Sequence, residues 1–293
     1  MSDDYRQLLD ATIQHLESMK ARGARHVTVA PETLRALARP PAKLPIANFH
    51  SPISKNFTAA PAVAPKAIHA VAVLVVEQSE IGNRKSEMNK AAAFAALRER
   101  ALACVKCPHL AASRKNVVFG VGNIDAQLMF VGEAPGADED AHGEPFVGAA
   151  GQLLTKIISA TGLSRADVYI ANILKCRPDT PGQAYGNRKP TPEEMQTCIP
   201  YLHEQIDLIQ PKVLVALGGT AVEGLLNKSG IMRLRGQWQT YRGIPLMPTF
   251  HPSYLLRNQS LATKREVWED MLAVMEKLGM PISEKQRNYF LKA

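Results

Sequence analysis

The chain has 293 residues, 46% of them hydrophobic, and carries 35 Lys and Arg against 27 Asp and Glu, a formal net charge of +8. That length holds one large domain, or one of roughly 200 residues with an extension, and no apolar run approaches the ~20 residues needed to span a bilayer. A basic balance suits a polyanionic partner, because neutralised phosphates release counterions; four cysteines are too few for a disulfide scaffold, and the acidic start at Asp3 and Asp4 lacks a signal-peptide core, so a cytoplasmic protein without membrane contact is expected.

In chain order, residues 1–30 open with an amphipathic helix predicted over 4–21, whose Tyr5, Leu8, Leu9, Ile13, Leu16 and Met19 share one stripe. Residues 31–86 turn to Pro, Ala and small polar residues, and Pro40-Pro41, Pro45, Pro52, Pro61 and Pro65 break any helix there. This composition predicts a largely disordered linker, with Val71–Val76 readable either as a strand or as a docking segment. An alanine-rich helix over Glu87–Ala103 opens a domain predicted over 87–280, and a tail over 281–293 follows.

Beyond residue 115 short apolar runs alternate with helical patterns. Strands are predicted at Ala126–Val131, Val168–Leu174, Val213–Leu217 and Ile244–Phe250. Helices are predicted at Ala150–Thr161, at Pro192–Ile209 with Thr191 as N-cap, from Thr220, and at Ala262–Leu278. Such alternation implies an α/β fold with a parallel sheet between two helical layers, and ligands at the C-terminal ends of the strands.

Three of those ends carry unusual sequence. After the first strand come Gly132-Glu133-Ala134-Pro135-Gly136, then Asp138-Glu139-Asp140, then Gly143-Glu144-Pro145-Phe146-Val147-Gly148. Small residues here let backbone amides approach an anion, although a plain glycine-rich turn reads the same way. The run has neither the ending of a P-loop nor the GxGxxG spacing. Asn172 lies inside an apolar strand, where its amide must find partners. It either caps a loop or matches the N3–H and O4 edge of a pyrimidine such as uracil. After the fourth strand, His251 stands beside Ser253 and Arg257, which suit phosphate contacts, and Leu255-Leu256, which could wedge between bases.

Cys104 and Cys107 form a C-x2-C pair, and Cys176 and Cys198 follow singly. Four thiolates from three segments can hold zinc or an iron–sulfur cluster, and spacing does not separate the two; buried structural cysteines are the plainer reading. A redox C-x2-C fits less well, since the pair precedes the sheet.

Together these residues resemble the family 4 uracil-DNA glycosylases, which carry a 4Fe-4S cluster. The match runs from about Ala103 to Leu278 and includes GEAPGADED, GEPFVGAAGQLL, NILKCRP, LGGTA and HPSYLLR in the family's order. The resemblance implies a three-layer α/β/α sandwich around a four-stranded parallel sheet, with the first hundred residues lying outside it as a helical and linker extension. It implies base-excision repair: hydrolysis of the N-glycosidic bond of uracil in single- or double-stranded DNA. It assigns the cluster to Cys104, Cys107, Cys176 and Cys198. It makes His251, Asn172 and Glu133 catalytic, with His251 donating to uracil O2 and Glu133 beside the sugar. Gly132, Ala134, Pro135, Gly136, Glu139, Phe146 and Asn172 would bind the base, Phe146 by stacking and Glu139 by walling off ring position 5. Ser253, Leu255, Leu256 and Arg257 would grip and wedge the DNA.

Two departures are informative. Relatives with a different first loop carry an aspartate where this chain has Ala134. The segment Ile231–Gly236 holds no histidine, unlike a related branch that crosslinks to DNA, so no covalent adduct is expected. Two alternatives keep parts of this reading: a glycosylase for deaminated purines, and a cluster-bearing DNA-binding module without catalysis. The N-terminal helix could recruit a protein partner, and a monomer is expected.

Overall fold

Four almost uninterrupted apolar runs form the middle of the sheet, as strands covered on both faces require. They are β2 (Leu128–Gly132), β3 (Tyr169–Asn172), β4 (Val213–Leu217) and β6 (Ile244–Thr249), all parallel, in the spatial order β3-β2-β4-β6. Two short antiparallel strands extend this expected core: β1 (Val121–Gly122) beside β3 and β5 (Gln239–Tyr241) beside β6. Neither edge strand is long enough to show a period in sequence.

This computed structural model describes residues 89–179 and 187–291. The helix expected over 4–21, the linker over 31–86 and the Val71–Val76 segment lie outside the described residues. Within them the helices are α1 (89–102), α2 (Pro108–Ser113), α3 (Ala137–His142), α4 (Ala149–Ala160), α5 (Pro192–Ile209), α6 (Gly219–Leu226), α7 (Ile231–Leu234), α8 (Pro252–Arg257), α9 (Leu261–Lys277) and α10 (Glu284–Arg287). No helix among the described residues is long and apolar enough to cross a membrane.

The side-chain alternation of the strands builds the layers. Met129 and Val131 pack with Leu202 and Ile206 of α5 and with Ala221 and Val222 of α6. Leu128 and Phe130 face the other way, onto Leu154 and Ile158 of α4 and Trp268, Met271 and Met275 of α9. The result is the three-layer α/β/α arrangement. On its edge α1 adds a small cluster of Leu97 and Ala101 with Phe119 and Tyr201.

Local chemistry fixes the ends of the elements. In α5 the Thr191 hydroxyl accepts from the Glu194 amide at 3.2 Å and the Glu194 carboxylate accepts from the Thr191 amide at 2.8 Å, a reciprocal cap. Glu194 is buried and also meets Arg188 and His109. The Arg188 guanidinium holds the Glu194 carboxyl down at about 2. Residues 281–291, expected as a tail, are bound to the body: Gln286 accepts from the Trp268 indole, donates to the Ala160 carbonyl at 2.8 Å, and Tyr289 stacks near Trp268.

Candidate active site

The C-terminal ends of β2, β3, β4 and β6 open into one cleft of about 600 Å³. Register explains its floor. Gly132 is paired with Asn172 across the β2–β3 ladder, and a Cβ on Gly132 would collide with the Asn172 carboxamide and come within 2.6 Å of the Phe146 ring. Glycine at this position keeps the floor open. Asn172 is 2% exposed, and its Oδ1 is buried without a hydrogen-bond partner. Buried acceptors are seldom left so; this one is placed to receive an N–H from a ligand. Its backbone is pinned, since the carbonyl accepts from Lys175 Nζ at 2.9 Å and Lys175 in turn donates to Gln205.

His251 comes from the end of β6 and caps α8. The Ser253 amide donates to its Nδ1 at 3.1 Å, and the Ser253 hydroxyl lies 2.8 Å from the same atom. An amide can only donate, so Nδ1 accepts and the ring proton resides on Nε2. Burial, reinforced by the positive charge of Arg257, pushes the ring's pKa down to about 4. The imidazole is therefore neutral at physiological pH and is an N–H donor on the wall of the cleft. Gly218 at the end of β4 lets it sit there: its φ is +92°, and a Cβ would fall 2.9 Å from that of His251. The Phe146 ring lies 5.5 Å from the imidazole at a 32° tilt.

Phe146 has a left-handed φ of 56°, a conformation a bulky residue adopts only when its surroundings enforce it. Arg165 enforces it, donating to the Pro145 carbonyl at 2.8 Å and the Phe146 carbonyl at 3.2 Å. Glu139 organises the same loop. Its carboxylate accepts from the amides of Gly136, Val147 and Gly148 at 2.9, 3.0 and 3.0 Å. Glu139 lines the cleft, but with its acceptors engaged it acts there by fixing the loop. Glu133 also lines the cleft, and burial raises its pKa above the ordinary 4.5, partly offset by a hydrogen bond from Thr220 and the charge of Lys189.

The motif after β6 differs from the sequence expectation. Residues 252–257 form the helix α8, and Leu255, expected to wedge the DNA, is buried with Phe250 and Val267. Leu256 is 39% exposed and Arg257 lines the cleft. Ser253 orients His251 and reaches the cleft wall. Ala134 and Gly136 line the cleft, whereas Pro135 turns its carbonyl to the Asn187 side chain at 2.9 Å.

Asn187 is a cleft residue that sequence reasoning missed. It also accepts from Arg177 Nε at 3.0 Å, so it braces the first loop against the segment that follows Cys176. Ile231, Met232 and Tyr254 were likewise not singled out. Asn187 interrupts no periodic pattern and belongs to no quoted motif, so the sequence carries no signal for it.

All four cysteines line a second, small cavity with Leu110, Leu174 and Arg114. Among the described residues no three His, Cys, Asp or Glu side chains close tightly enough to hold a single metal ion. Burial raises the pKa of Cys107 and Cys176 and pushes Cys198 up to about 12, the reverse of a reactive thiol. Two N–H groups nonetheless aim at sulfur: Arg114 Nη1 at Cys176 (3.1 Å) and the Lys175 amide at Cys198 (3.2 Å). Soft donors in an apolar cradle with N–H groups on the sulfurs fit an iron–sulfur cluster.

Comparison with known proteins agrees with this geometry. The model of the uracil DNA glycosylase superfamily matches residues 119–272. A type-4 uracil-DNA glycosylase of Thermotoga maritima is 48% identical over 179 residues, covering 59% of this chain and 88% of that protein. One of Archaeoglobus fulgidus is 41% identical over 198 residues, 64% of this chain and 93% of the relative. A type-5 uracil-DNA glycosylase of Thermus thermophilus is 29% identical over 206 residues, 59% of this chain and 91% of the relative. With a glycine-floored cleft at the ends of four parallel strands, and matches covering nearly the whole of its relatives, the chain belongs to the uracil-DNA glycosylase superfamily and groups with its type-4 branch.

Proposed function

We propose that this chain hydrolyses the N-glycosidic bond of uracil in DNA, releasing free uracil and leaving an abasic site. The observation that carries the reading is the buried, unpartnered Oδ1 of Asn172 on the floor of a cleft whose wall presents the neutral imidazole of His251. Uracil extruded from the stack offers an N3–H to that oxygen and its O4 to the Asn172 amide nitrogen. Cytosine has a bare N3 and would leave the same acceptor unsatisfied, at a cost of about 1–3 kcal/mol. Phe146 stacks on the base, and the loop fixed by Glu139 walls off ring position 5 and so excludes the thymine methyl.

As the C1′–N1 bond breaks, its electron pair passes to the base and negative charge spreads to O2. The His251 Nε2–H donates to O2 and stabilises the uracil anion, as a preorganised oxyanion donor does. Positive charge grows on the sugar, and the Glu133 carboxylate on the cleft wall is the acid proposed to face it. It favours the cation and accepts a proton as water adds to C1′, by the logic of glycoside hydrolysis.

Cys104, Cys107, Cys176 and Cys198 are the proposed ligands of a 4Fe-4S cluster. Such a group would supply iron–thiolate bonds, and its ligands would come from the end of α1, the segment after β3, and α5. Lys175 ties this region to Asn172, and Arg177 ties it through Asn187 to the first loop. The proposed role of the cysteine set is therefore to hold the base-reading residues in place.

The test is a labelled oligonucleotide holding one uracil, incubated with the protein and then treated with alkali to cut abasic sites. Cutting at uracil, and none when thymine, hypoxanthine or xanthine replaces it, is expected. A preference for a purine lesion, or an intact strand with every lesion, would overturn the proposal.

A further inference from the structure

The mouth of the cleft has a second lip that the reading above does not use. It is α7 with its flanks, residues 230–236. Ile231 is turned inward against the Phe250 and Leu255 cluster. Arg235 anchors the other end, donating to the buried Asp270 carboxylate at 2.6 Å from Nη2 and at 3.2 Å from Nε, and lying 5.5 Å above the Phe250 ring. Asp270 also accepts from the Thr249 hydroxyl at 2.6 Å, so the lip is bolted to the strand that delivers His251.

Between these anchors Met232 stands out. It lines the cleft and yet is 65% exposed. Single exposed apolar residues are common on protein surfaces, but this one has a counterpart. On α8, next to the cleft residue Arg257, Leu256 is 39% exposed, and each of the two is followed by an exposed arginine, Arg233 and Arg257. Neither guanidinium has an ion pair or hydrogen bond among the described residues. Two apolar tips, each backed by an uncommitted cation, therefore rise beside a cleft that takes a nucleotide.

We infer that Met232 is a second wedge, entering the stack beside the extruded uracil while Arg233 meets a neighbouring phosphate of duplex DNA. Methionine suits the task, since its unbranched thioether is polarizable and adapts to irregular gaps, and it is among the side chains that unstack base steps. The lip's rigid anchoring means that the tip is presented without first having to be ordered. The wedge rests on reading the cleft as a uracil pocket.

A wedge matters only where there is a stack to open. Met232→Ala should therefore lower excision from double-stranded uracil DNA roughly tenfold more than it lowers excision from single-stranded DNA. A 2-aminopurine next to the uracil should brighten on binding of the unaltered protein to the duplex and brighten less with Met232→Ala. Arg233→Ala should weaken binding to both substrates and flatten the dependence on salt. Equal losses on single and double strands, or none on either, would overturn the wedge. Absence of excision by the unaltered protein on both substrates would instead overturn the uracil reading, so the two failures are distinguishable.

Discussion

Asn172 and His251 belong to different strands, yet each reaches the cleft with one hydrogen-bonding function unspent. Ser253 fixes the His251 tautomer and burial keeps the ring neutral down to about 4, whereas burial raises Glu133 above 4.5. The signs give a pH profile. Charging of His251 lies too low to matter near neutrality. In the proposed role Glu133 acts as a carboxylate, so the rate should be lost as pH falls through its raised pKa. Single-turnover excision followed from acid to neutral pH should show that one acid limb, and Glu133→Gln should remove it with a loss of about 10²–10⁴-fold. An inflection near 6.5 that survives in Glu133→Gln would mean the imidazole titrates after all. Asn172 and His251 were legible in the sequence because a polar residue at the end of an apolar run needs a reason. Arg165 and Asn187 were not, because each acts on a loop tens of residues away and neither interrupts a pattern.

At the scale of elements, the cleft depends on two loops being held in shape from behind. Gly132→Ala places a methyl against Phe146 and Asn172. It should cut excision by about 10²-fold or more, and its expected stability cost of about 1–3 kcal/mol should leave a folded protein by circular dichroism. Glu139→Ala leaves three amides without their acceptor. Denaturant unfolding should show a loss of about 1–3 kcal/mol, accompanied by weaker excision; full stability would mean that the loop does not need the carboxylate. The four parallel strands could be read from composition, since both faces are buried and the runs are apolar throughout. The helix over residues 252–257 could not. Six residues are too few to show a helical period, and the His251 cap, Pro252 in the first turn and the buried Leu255 mark the helix only once the fold is in view.

For the whole molecule, the four cysteines come from segments far apart in sequence to one small cavity, and Lys175 and Arg177 run hydrogen bonds from there to Asn172 and, through Asn187, to the first loop. Cys176→Ser, or removal of iron by a chelator, should abolish the violet-blue absorbance expected of thiolate-bound iron, lower the thermal midpoint and reduce excision together. Colourless protein with stoichiometric zinc would refute the cluster while leaving the cleft intact. Excision should also weaken steeply with salt, as a chain of net charge +8 that binds phosphates requires. The sequence disclosed this architecture from about residue 103 onward, where motifs and strand ends coincide. Closure of residues 281–291 onto α9 was invisible, because it relies on one indole, a few backbone carbonyls and the scattered apolar contacts of Ile282 and Tyr289, with no periodic apolar face.

The most direct test is single-turnover release of uracil from a single-uracil duplex by the unaltered protein, Asn172→Ala and His251→Ala. Each variant should stay folded and lose about 10²–10³-fold in rate, the effect of removing one donor aimed at a developing anion. Undiminished release by both variants would show that the chemistry lies outside this cleft.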